Sequence, residues 1–125
     1  MGEKICLDTN VIINSLKDDF YYKELRQKLV DKELYITTIT LFELYQRKTN
    51  IEEINIFISN LKILDFNTTS AILASNLFKL LKSKGITIEY RDLFIASITL
   101  VNDCELLTNN TKDFKNIPKL RIINA

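Results

Sequence analysis

The sequence predicts a three-layer α/β/α fold, in which helices cover both faces of a central, mainly parallel sheet of about four to five strands. Short runs rich in β-branched and aromatic residues alternate along the chain with segments whose apolar residues recur at helical spacing. A chain of 125 residues with 46% hydrophobic content can bury one sizeable core. Because no repeat or Gly-, Ser- or Pro-rich linker divides it, we expect one domain over residues 1–125.

Five segments are predicted to form strands, because each is short, apolar and rich in β-branched or aromatic residues. In chain order they are residues 4–8, 34–38, 63–66, 105–108 and 120–123. The first of them ends at Asp8, which therefore lies at the carboxyl end of a strand. In open α/β sheets ligands bind at the carboxyl ends of the strands, so this edge is the expected position of a site.

The segments between the strands have the apolar spacing of amphipathic helices. The predicted helices cover residues 11–16, 20–32, 41–45, 51–61, 68–81 and 90–101. Asn67 is the expected N-cap of the helix over 68–81, and Gly85 its C-cap. Glu43 falls in an early turn of the helix over 41–45, and Asp92 in the first turn of the last helix. Residues 109–114 are predicted to form a polar turn.

The composition excludes several classes of function. No apolar run approaches the roughly 18–20 residues that span a bilayer, and no secretory pattern is present, so we expect a cytoplasmic protein. The chain has no histidine, which removes imidazole catalysis and the histidine-containing triads. Cys6 and Cys104 lack metal-ligand spacing, so we expect two reduced core cysteines. A net charge of +1 favours no class of partner.

Catalysis in such a chain must rest on carboxylates, and three acidic residues stand apart from the solvated charges. Asp8 ends an apolar strand, Glu43 interrupts an apolar helical stretch, and Asp92 begins an almost wholly apolar helix. A carboxylate in apolar surroundings is costly unless a cation neutralises it. Ordinary structural roles remain open, because Asp8 could cap a helix and Asp92 could pair with Arg91.

A fourth polar group follows the strand over residues 105–108. Residues 108–113 carry hydroxyl, amide and carboxylate oxygens, which are hard donors suited to Mg²⁺ or Mn²⁺. If the sheet is parallel, the first and fourth strands can lie side by side, and the helices that bear Glu43 and Asp92 can converge on the same edge. These carboxylates and oxygen donors can therefore meet at one edge of the sheet.

Four short motifs stand in order along nearly the whole chain. They are L-D-T-N-V at residues 7–11, T-L-F-E-L at 40–44, D-L-F-I-A-S at 92–97 and L-T-N-N-T-K-D-F at 107–114. Together they resemble the PIN-domain family, specifically the VapC-type toxins of prokaryotic toxin–antitoxin pairs. The resemblance implies a metal-dependent endoribonuclease that uses one or two Mg²⁺ or Mn²⁺ ions. If water attacks the phosphate directly, we expect RNA products with a 5′ phosphate and a 3′ hydroxyl.

The resemblance also assigns roles to residues in these motifs. It implies that Asp8, Glu43 and Asp92 are the catalytic and metal-binding acids. The family often has a fourth acid two residues after the threonine of the last motif, but Asn110 stands there in this chain. The fourth ligand could therefore be Asn110 or Asp113.

Two further sets of residues are expected around the acids. The polar neighbours expected to support the carboxylates are Thr9, Asn10 and Thr108. The cations expected to contact RNA phosphates are Arg91, Arg47 and Lys48. The resemblance also implies a small cognate antitoxin whose disordered tail folds over the toxin, and we expect a homodimer. The aromatic residues that could line either interface are Phe20, Tyr21, Tyr22, Tyr45 and Phe57.

Three alternatives are weaker or less specific. A receiver domain has a similar length and an acidic Mg²⁺ pocket, but it needs a pair of acids at the first strand, where Asp8 stands alone. A haloacid-dehalogenase-type phosphatase would begin D-x-D, whereas this motif is D-T-N. A PIN-like protein with a decayed site, which only binds RNA or a partner, remains open because of Asn110.

Overall fold

The computed structural model describes residues 3–125, and it confirms the predicted α/β/α class with a parallel central sheet. The strands are β1 (Lys4–Leu7), β2 (Glu33–Thr37), β3 (Lys62–Leu64), β4 (Glu105–Thr108) and β5 (Ile122–Asn124). The helices are α1 (Thr9–Lys17), α2 (Asp19–Lys28), α3 (Thr38–Tyr45), α4 (Ile51–Ile58), α5 (Thr68–Ser83), α6 (Tyr90–Val101) and α7 (Thr111–Phe114).

The five strands lie in the order β3-β2-β1-β4-β5, and each neighbouring pair is parallel. The central strand β1 places Cys6 opposite Tyr35 of β2 on one side and opposite Leu106 of β4 on the other. Because the strands are parallel, the ends of β1, β2 and β4 reach the same edge of the sheet. The first and fourth strands therefore lie side by side, as predicted.

The side chains of β1 alternate between two apolar clusters, one on each face of the sheet. Cys6 packs on one face with Leu81 of α5 and Ile95 of α6. Ile5 and Leu7 face the opposite layer, where α1, α2 and α4 supply the apolar partners. Within residues 3–125, no helix is long and apolar enough to cross a membrane. Two buried layers therefore fix the sheet edge from both sides.

Both cysteines are free and buried, as the sequence predicted. Cys6 is fully buried in the central strand, and this burial raises the pKa of its thiol to about 12. Burial also raises the pKa of Cys104. Both side chains therefore act as small apolar groups in the core rather than as reactive thiols.

The helix that carries Glu43 begins earlier than the sequence suggested. The β-branched residues Thr38 and Thr40 favour a strand locally, but the side chain of Thr37 accepts a hydrogen bond from the Thr40 amide at 3.1 Å and caps the helix. Helix α3 therefore starts at Thr38, and Glu43 lies in its second turn. The expectation that Glu43 lies in an early turn of that helix was wrong.

Other predicted boundaries were wrong by a few residues. Helix α2 ends at Lys28 rather than near residue 32, because Asp31 adopts a left-handed backbone with φ of 64°. Strand β3 covers Lys62–Leu64 and strand β5 covers Ile122–Asn124, each offset from the predicted residues. A four-residue helix, α7, forms where a polar turn was predicted.

The end of α5 follows the prediction. Gly85 has a φ of 73°, and its amide bonds to the carbonyl of Lys82 while the amide of Ile86 bonds to that of Leu81. This pair of bonds is the Schellman arrangement, in which a left-handed residue closes the helix. The chain then reverses and leads through residues 86–89 to the start of α6 at the carboxyl edge.

Candidate active site

Polar side chains from four separate segments meet at the carboxyl edge of the sheet. Asp8 follows β1 directly, and Thr108 ends the neighbouring strand β4. Helix α3 follows β2 and carries Glu43, while the first turn of α6 carries Asp92. The parallel topology is what brings these positions together, since each one lies at or just beyond a strand end or at a helix start.

Asp8 is completely buried, and both of its carboxylate oxygens have partners. Its Oδ1 accepts hydrogen bonds from the Thr9 amide at 2.8 Å and from Arg91 Nη2 at 2.8 Å. Its Oδ2 accepts a hydrogen bond from the Thr108 hydroxyl at 2.8 Å. Asp8 is thus the N-cap of α1, which was the alternative role expected for it. Capping uses only part of its hydrogen-bonding capacity.

Glu43 reaches the same place from the opposite side, with 24% of its side chain exposed. Its Oε1 accepts a hydrogen bond from the Thr9 hydroxyl at 2.6 Å, and its Oε2 accepts one from Arg91 Nε at 2.7 Å. The Thr9 hydroxyl also lies 3.0 Å from that of Thr40, which is fully buried. Thr9 therefore links the start of α1 to α3 and holds the Glu43 carboxylate in one orientation.

Asp92 completes the group from the first turn of α6, where it is largely buried. Its Oδ1 accepts a hydrogen bond from Arg91 Nη1 at 2.6 Å. Burial raises the pKa of Asp92, although Arg91 acts in the opposite direction, and the charge of Asp113 adds to the rise. The ionised form of Asp92 is therefore held at a cost that a bound cation would reduce.

The guanidinium of Arg91 lies between the three carboxylates and binds each of them with a different nitrogen. Burial alone would lower the pKa of Arg91, but its bonds to Glu43, Asp8 and Asp92 raise it above its ordinary value. In residues 3–125, no three acidic or cysteine side chains are arranged as they stand to hold a metal ion. The centre that the sequence assigned to a divalent ion thus contains a guanidinium in this conformation.

A polar pocket opens above these carboxylates. Among its lining residues are Asn10, Arg47, Asn110, Lys112 and Asp113, together with Glu43, Arg91 and Asp92. The predicted supporting residue Asn10 is brought to the pocket, but no hydrogen bond joins it to Asp8 in the described structure. Lys48 is exposed and is not among the lining residues.

The segment after β4 is held against the carboxylates by Thr108. The amide of Asn110 donates a hydrogen bond to the Thr108 hydroxyl at 3.0 Å, and that hydroxyl in turn donates to Asp8. Asp113, three residues further on, lies in α7 and faces the same pocket. The structure therefore brings both candidates for a fourth oxygen donor to the pocket, as expected.

Two features of this arrangement were absent from the sequence analysis. The buried hydroxyl of Thr40 was not singled out, although its place three residues before Glu43, on the same helical face, was a usable signal. The bridging position of Arg91 was also missed, because the sequence suggested a cation beside the site rather than within it. Its adjacency to Asp92 gave only the hint of a local pair.

A match to a protein-family model identifies the family of the chain and agrees with this geometry. The model described as the PIN domain matches residues 5–120, which include all four segments of the site. The chain belongs to the PIN-domain family. The predicted resemblance is therefore confirmed.

Named PIN-domain relatives match over nearly the full chain. Ribonuclease VapC2 of Rickettsia felis is 33% identical over 127 aligned residues, which cover 94% of this chain and 95% of that protein. The tRNA(fMet)-specific endonuclease VapC of Salmonella typhimurium is 31% identical, with 95% and 96% covered. Each of these alignments covers nearly the whole chain.

A solved structure agrees with the PIN-domain assignment. The crystal structure of VapBC2 from Rickettsia felis bound to a DNA fragment from its promoter contains a chain that superposes with a TM-score of 0.86. That chain is 32% identical, and the match covers 98% of each chain. The five-stranded parallel sheet and its surrounding helices thus have a close counterpart within the family.

Proposed function

We propose that this PIN-domain protein is a metal-dependent endoribonuclease and the toxin of a toxin–antitoxin pair. One observation carries the proposal: Asp8, Glu43 and Asp92, which come from three separate segments, converge on a single cationic centre at the carboxyl edge of the sheet. The relatives named as ribonucleases and an endonuclease support the reaction class. We also propose that residues 1–125 form a single nuclease domain.

The donor chemistry of this centre fits a hard divalent cation. Carboxylate oxygens of Asp8, Glu43 and Asp92, with an amide or carboxylate oxygen from Asn110 or Asp113, are the ligand types that Mg²⁺ and Mn²⁺ prefer. We propose these residues as the holders of one or two such ions. When bound, the ion would neutralise the phosphodiester and favour the ionisation of water.

The remaining polar residues have positioning roles in this proposal. The Thr108 hydroxyl holds Asp8 Oδ2, and the Thr9 hydroxyl holds Glu43 Oε1. The other oxygen of each carboxylate faces the centre, where it binds Arg91. Such fixed partners hold metal-binding groups in one orientation. Asn10 lines the pocket and is proposed to support the site from its rim.

Cationic side chains in the lining of the pocket favour an RNA substrate. Arg47 and Lys112 line it, and in the described structure the Nε of Arg47 is buried without a hydrogen-bond partner. An RNA phosphate would reach that N–H if the Arg47 side chain turned toward the pocket, where its guanidinium can donate to a phosphate oxygen. We propose Arg47, Arg91 and the more peripheral Lys48 as phosphate contacts. Alanine variants should weaken RNA binding and flatten its salt dependence, with a slope change near one per lost contact.

The test of the proposed reaction is cleavage of a mixed RNA pool by purified protein with Mg²⁺, with Mn²⁺ and with EDTA. Asp8→Asn, which removes the buried charge at constant shape, should abolish the metal-dependent cleavage. Asp103→Asn changes an aspartate whose side chain is 93% exposed, so this matched control should cleave as the wild type does. Equal cleavage by the wild type and Asp8→Asn would indicate a contaminating nuclease. No cleavage by either protein would favour a decayed site that only binds RNA or a partner.

The chemistry of the products tests a finer part of the proposal. Hydrolysis by attack of water on the phosphorus leaves a 5′ phosphate and a 3′ hydroxyl, because no ribose oxygen acts as the nucleophile. A 2′,3′-cyclic phosphate on the upstream fragment would refute this route. Labelling of the new 5′ ends by a ligase that requires a 5′ phosphate would support it.

The proposed partner is a small antitoxin. The relative of known structure was solved as VapBC2, and this chain presents an apolar groove between α1, α2 and α4 to receive a partner segment. Tyr22 and Phe57 line that groove with their ring centroids 6.0 Å apart. Phe20 is exposed, whereas the hydroxyl of Tyr21 accepts a hydrogen bond from Asn109.

Co-expression with a candidate antitoxin tests this part of the proposal. The two chains should co-purify, and the complex should cleave RNA more slowly than the free toxin. We also propose a homodimer, which light scattering on the free chain would detect as twice the monomer mass. A monomer at all concentrations, or a candidate that never co-purifies, would contradict the respective proposal.

A further inference from the structure

Arg91 supplies the positive charge at the centre of the proposed metal site. Its Nε binds Glu43, its Nη1 binds Asp92 and its Nη2 binds Asp8, at distances of 2.6–2.8 Å. Each bond reaches a different carboxylate, so one planar group bridges all three acids. The arrangement resembles ligation of a cation more than an ordinary surface pair.

No second cation shares this position among the described residues. Arg47 and Lys112 line the same pocket, but neither forms an ion pair with the three carboxylates. Three carboxylates held within reach of one another repel when no cation lies between them. Arg91 therefore provides the charge compensation that this group of acids requires in the absence of a divalent ion.

A guanidinium and a divalent ion cannot use these carboxylate oxygens at once. A Mg²⁺ ion needs its oxygen ligands at roughly 2.0–2.1 Å from one point. Here the inward-facing oxygens of Asp8, Glu43 and Asp92 are spread around the planar guanidinium that lies between them. Occupancy of this centre by the ion thus requires Arg91 to leave.

Arg91 is placed so that it can leave without moving the backbone. It is the second residue of α6, and 24% of its side chain is already exposed at the pocket. Its long side chain can rotate toward the pocket opening, while the backbone of α6 keeps Asp92 in place. Since Arg91 adjoins Asp92, the displaced guanidinium would stay at the rim of the site.

We propose that Arg91 and the divalent ion occupy the three carboxylates alternately. Arg91 is the internal cation of the metal-free protein, and loading of the site releases it to the rim, where it is available to an RNA phosphate. This inference rests on the proposed metal-dependent function and adds a competition between the ion and a residue of the same chain.

The direct test follows the Arg91 side chain itself by NMR. The chain contains four arginines, so a ¹⁵N spectrum of arginine Nε–H groups holds few signals, and Arg91→Lys identifies the one to follow. In the metal-free wild type, the Arg91 Nε–H should be protected from exchange because it is bonded to Glu43. Adding MgCl₂ should shift this signal and speed its exchange about tenfold or more.

Sodium chloride at matched ionic strength is the control for that titration, and it should leave the Arg91 signal in place. The other three arginine signals should change little with either salt. If Asp8 or Asp92 resonances respond to MgCl₂ while the Arg91 Nε–H stays protected, the ion binds beside the guanidinium and the inference is refuted. The proposed metal site would survive that result.

A second measurement gives the size of the competition. Mn²⁺ affinity measured by calorimetry should be about tenfold higher in Arg91→Gln than in the wild type, since the ion no longer displaces a bound cation. Arg47→Gln removes a charge from the same pocket without removing an ion pair, so its affinity should rise far less. Equal increases in Mn²⁺ affinity in both variants would mean that Arg91 acts only as a nearby positive charge, and would overturn the inference.

The same titration separates this inference from the proposed function. Asp8→Asn should abolish Mn²⁺ binding in both backgrounds if the carboxylates hold the ion. Binding in neither the wild type nor Arg91→Gln at millimolar Mn²⁺ would refute the metal site itself. If Arg91→Gln does not fold without metal, the NMR experiment on the wild-type protein still decides the question.

Discussion

Replacement of Thr108 by valine tests how the buried carboxylate of Asp8 is held. The Thr108 hydroxyl donates to Asp8 Oδ2 at 2.8 Å and accepts a hydrogen bond from the Asn110 amide at 3.0 Å. Thr108 is fully buried, and valine has the same shape. The substitution therefore removes two hydrogen bonds while leaving the packing of β4 almost unchanged.

The expected cost follows from what each bond connects. A hydrogen bond to a charged group contributes about 1.5–3 kcal/mol, and one to a neutral amide about 0.5–1.5 kcal/mol. Asp8 is completely buried, so its Oδ2 cannot recover the loss from water. We expect Thr108→Val to lower the free energy of unfolding by about 2–4 kcal/mol, because a buried acceptor is left without its donor.

The assay is urea unfolding monitored by circular dichroism at neutral pH without added metal. Thr99→Val is the matched control, since Thr99 is also fully buried but its hydroxyl donates to the Ile95 carbonyl of its own helix rather than to a carboxylate. That carbonyl keeps its helical partner, so the control should cost less than about 1 kcal/mol. Thr108→Ser keeps the hydroxyl and should recover most of the stability.

Equal costs for the two valine variants would refute the reasoning. That result would mean that the Asp8 carboxylate finds a substitute partner, or that Arg91 alone holds it in place. A large cost for Thr108→Ser would instead point to packing of the lost methyl group. Only a large loss in Thr108→Val, with smaller losses in both controls, supports the hydrogen-bond account.

Three further predictions concern the fold. Phe114→Ala should lower the free energy of unfolding by about 3–5 kcal/mol in urea, because Phe114 is fully buried and a cavity would remain. Gly85→Ala should cost about 1–2 kcal/mol in thermal melts, although nothing lies within 4 Å of the added carbon, because φ is 73°. Burial raises the pKa of Cys6 from 9.0 to about 12, so its contribution to stability is complete below pH 9 and is lost as the pH rises toward 12. Between pH 9 and 12 the free energy of unfolding should therefore fall more steeply in the wild type than in Cys6→Ala, by up to about 1.4 kcal/mol per pH unit.

The sheet and much of the site could be predicted because local signals and topology agree. Asp8 follows an apolar strand and Thr108 ends one, and parallel pairing of these adjacent strands brings their side chains to the same edge. The sequence therefore placed two of the segments correctly without knowledge of any distance. The position of Asp92 could also be predicted, because an acid in the first turn of an apolar helix must lie at the start of that helix.

The bounds of helices and strands were harder to predict, because a capping hydrogen bond can decide where a helix begins. Residues Thr38 and Thr40 have a strand-like composition, and the composition alone extended β2 by one residue and delayed α3. One hydrogen bond from the Thr40 amide to the Thr37 side chain reverses that preference. Local propensity differences of a few tenths of a kcal/mol are smaller than the roughly 1 kcal/mol of an N-cap, so the cap prevails.

The position of Arg91 could not be predicted because its partners are distant in sequence. Its bonds reach 83 residues back to Asp8 and 48 residues back to Glu43, and only the third is to its neighbour Asp92. From the sequence, Arg91 could be explained by a pair with its neighbour Asp92 or by contact with an RNA phosphate. Only the folded arrangement shows that three acids share a single counterion.

This shared counterion implies opposing effects of position 91 on stability and on metal affinity. Like charges repel at short range, so the carboxylates of Asp8, Glu43 and Asp92 destabilise the metal-free fold unless a cation lies between them. Arg91 relieves that repulsion, but on the proposed competition the ion must then displace it. A neutral residue at position 91 should therefore weaken the metal-free protein and tighten its metal site together, and metal should restore more stability to that variant than it adds to the wild type. A variant that lost stability without gaining Mn²⁺ affinity would show that Arg91 serves the fold alone.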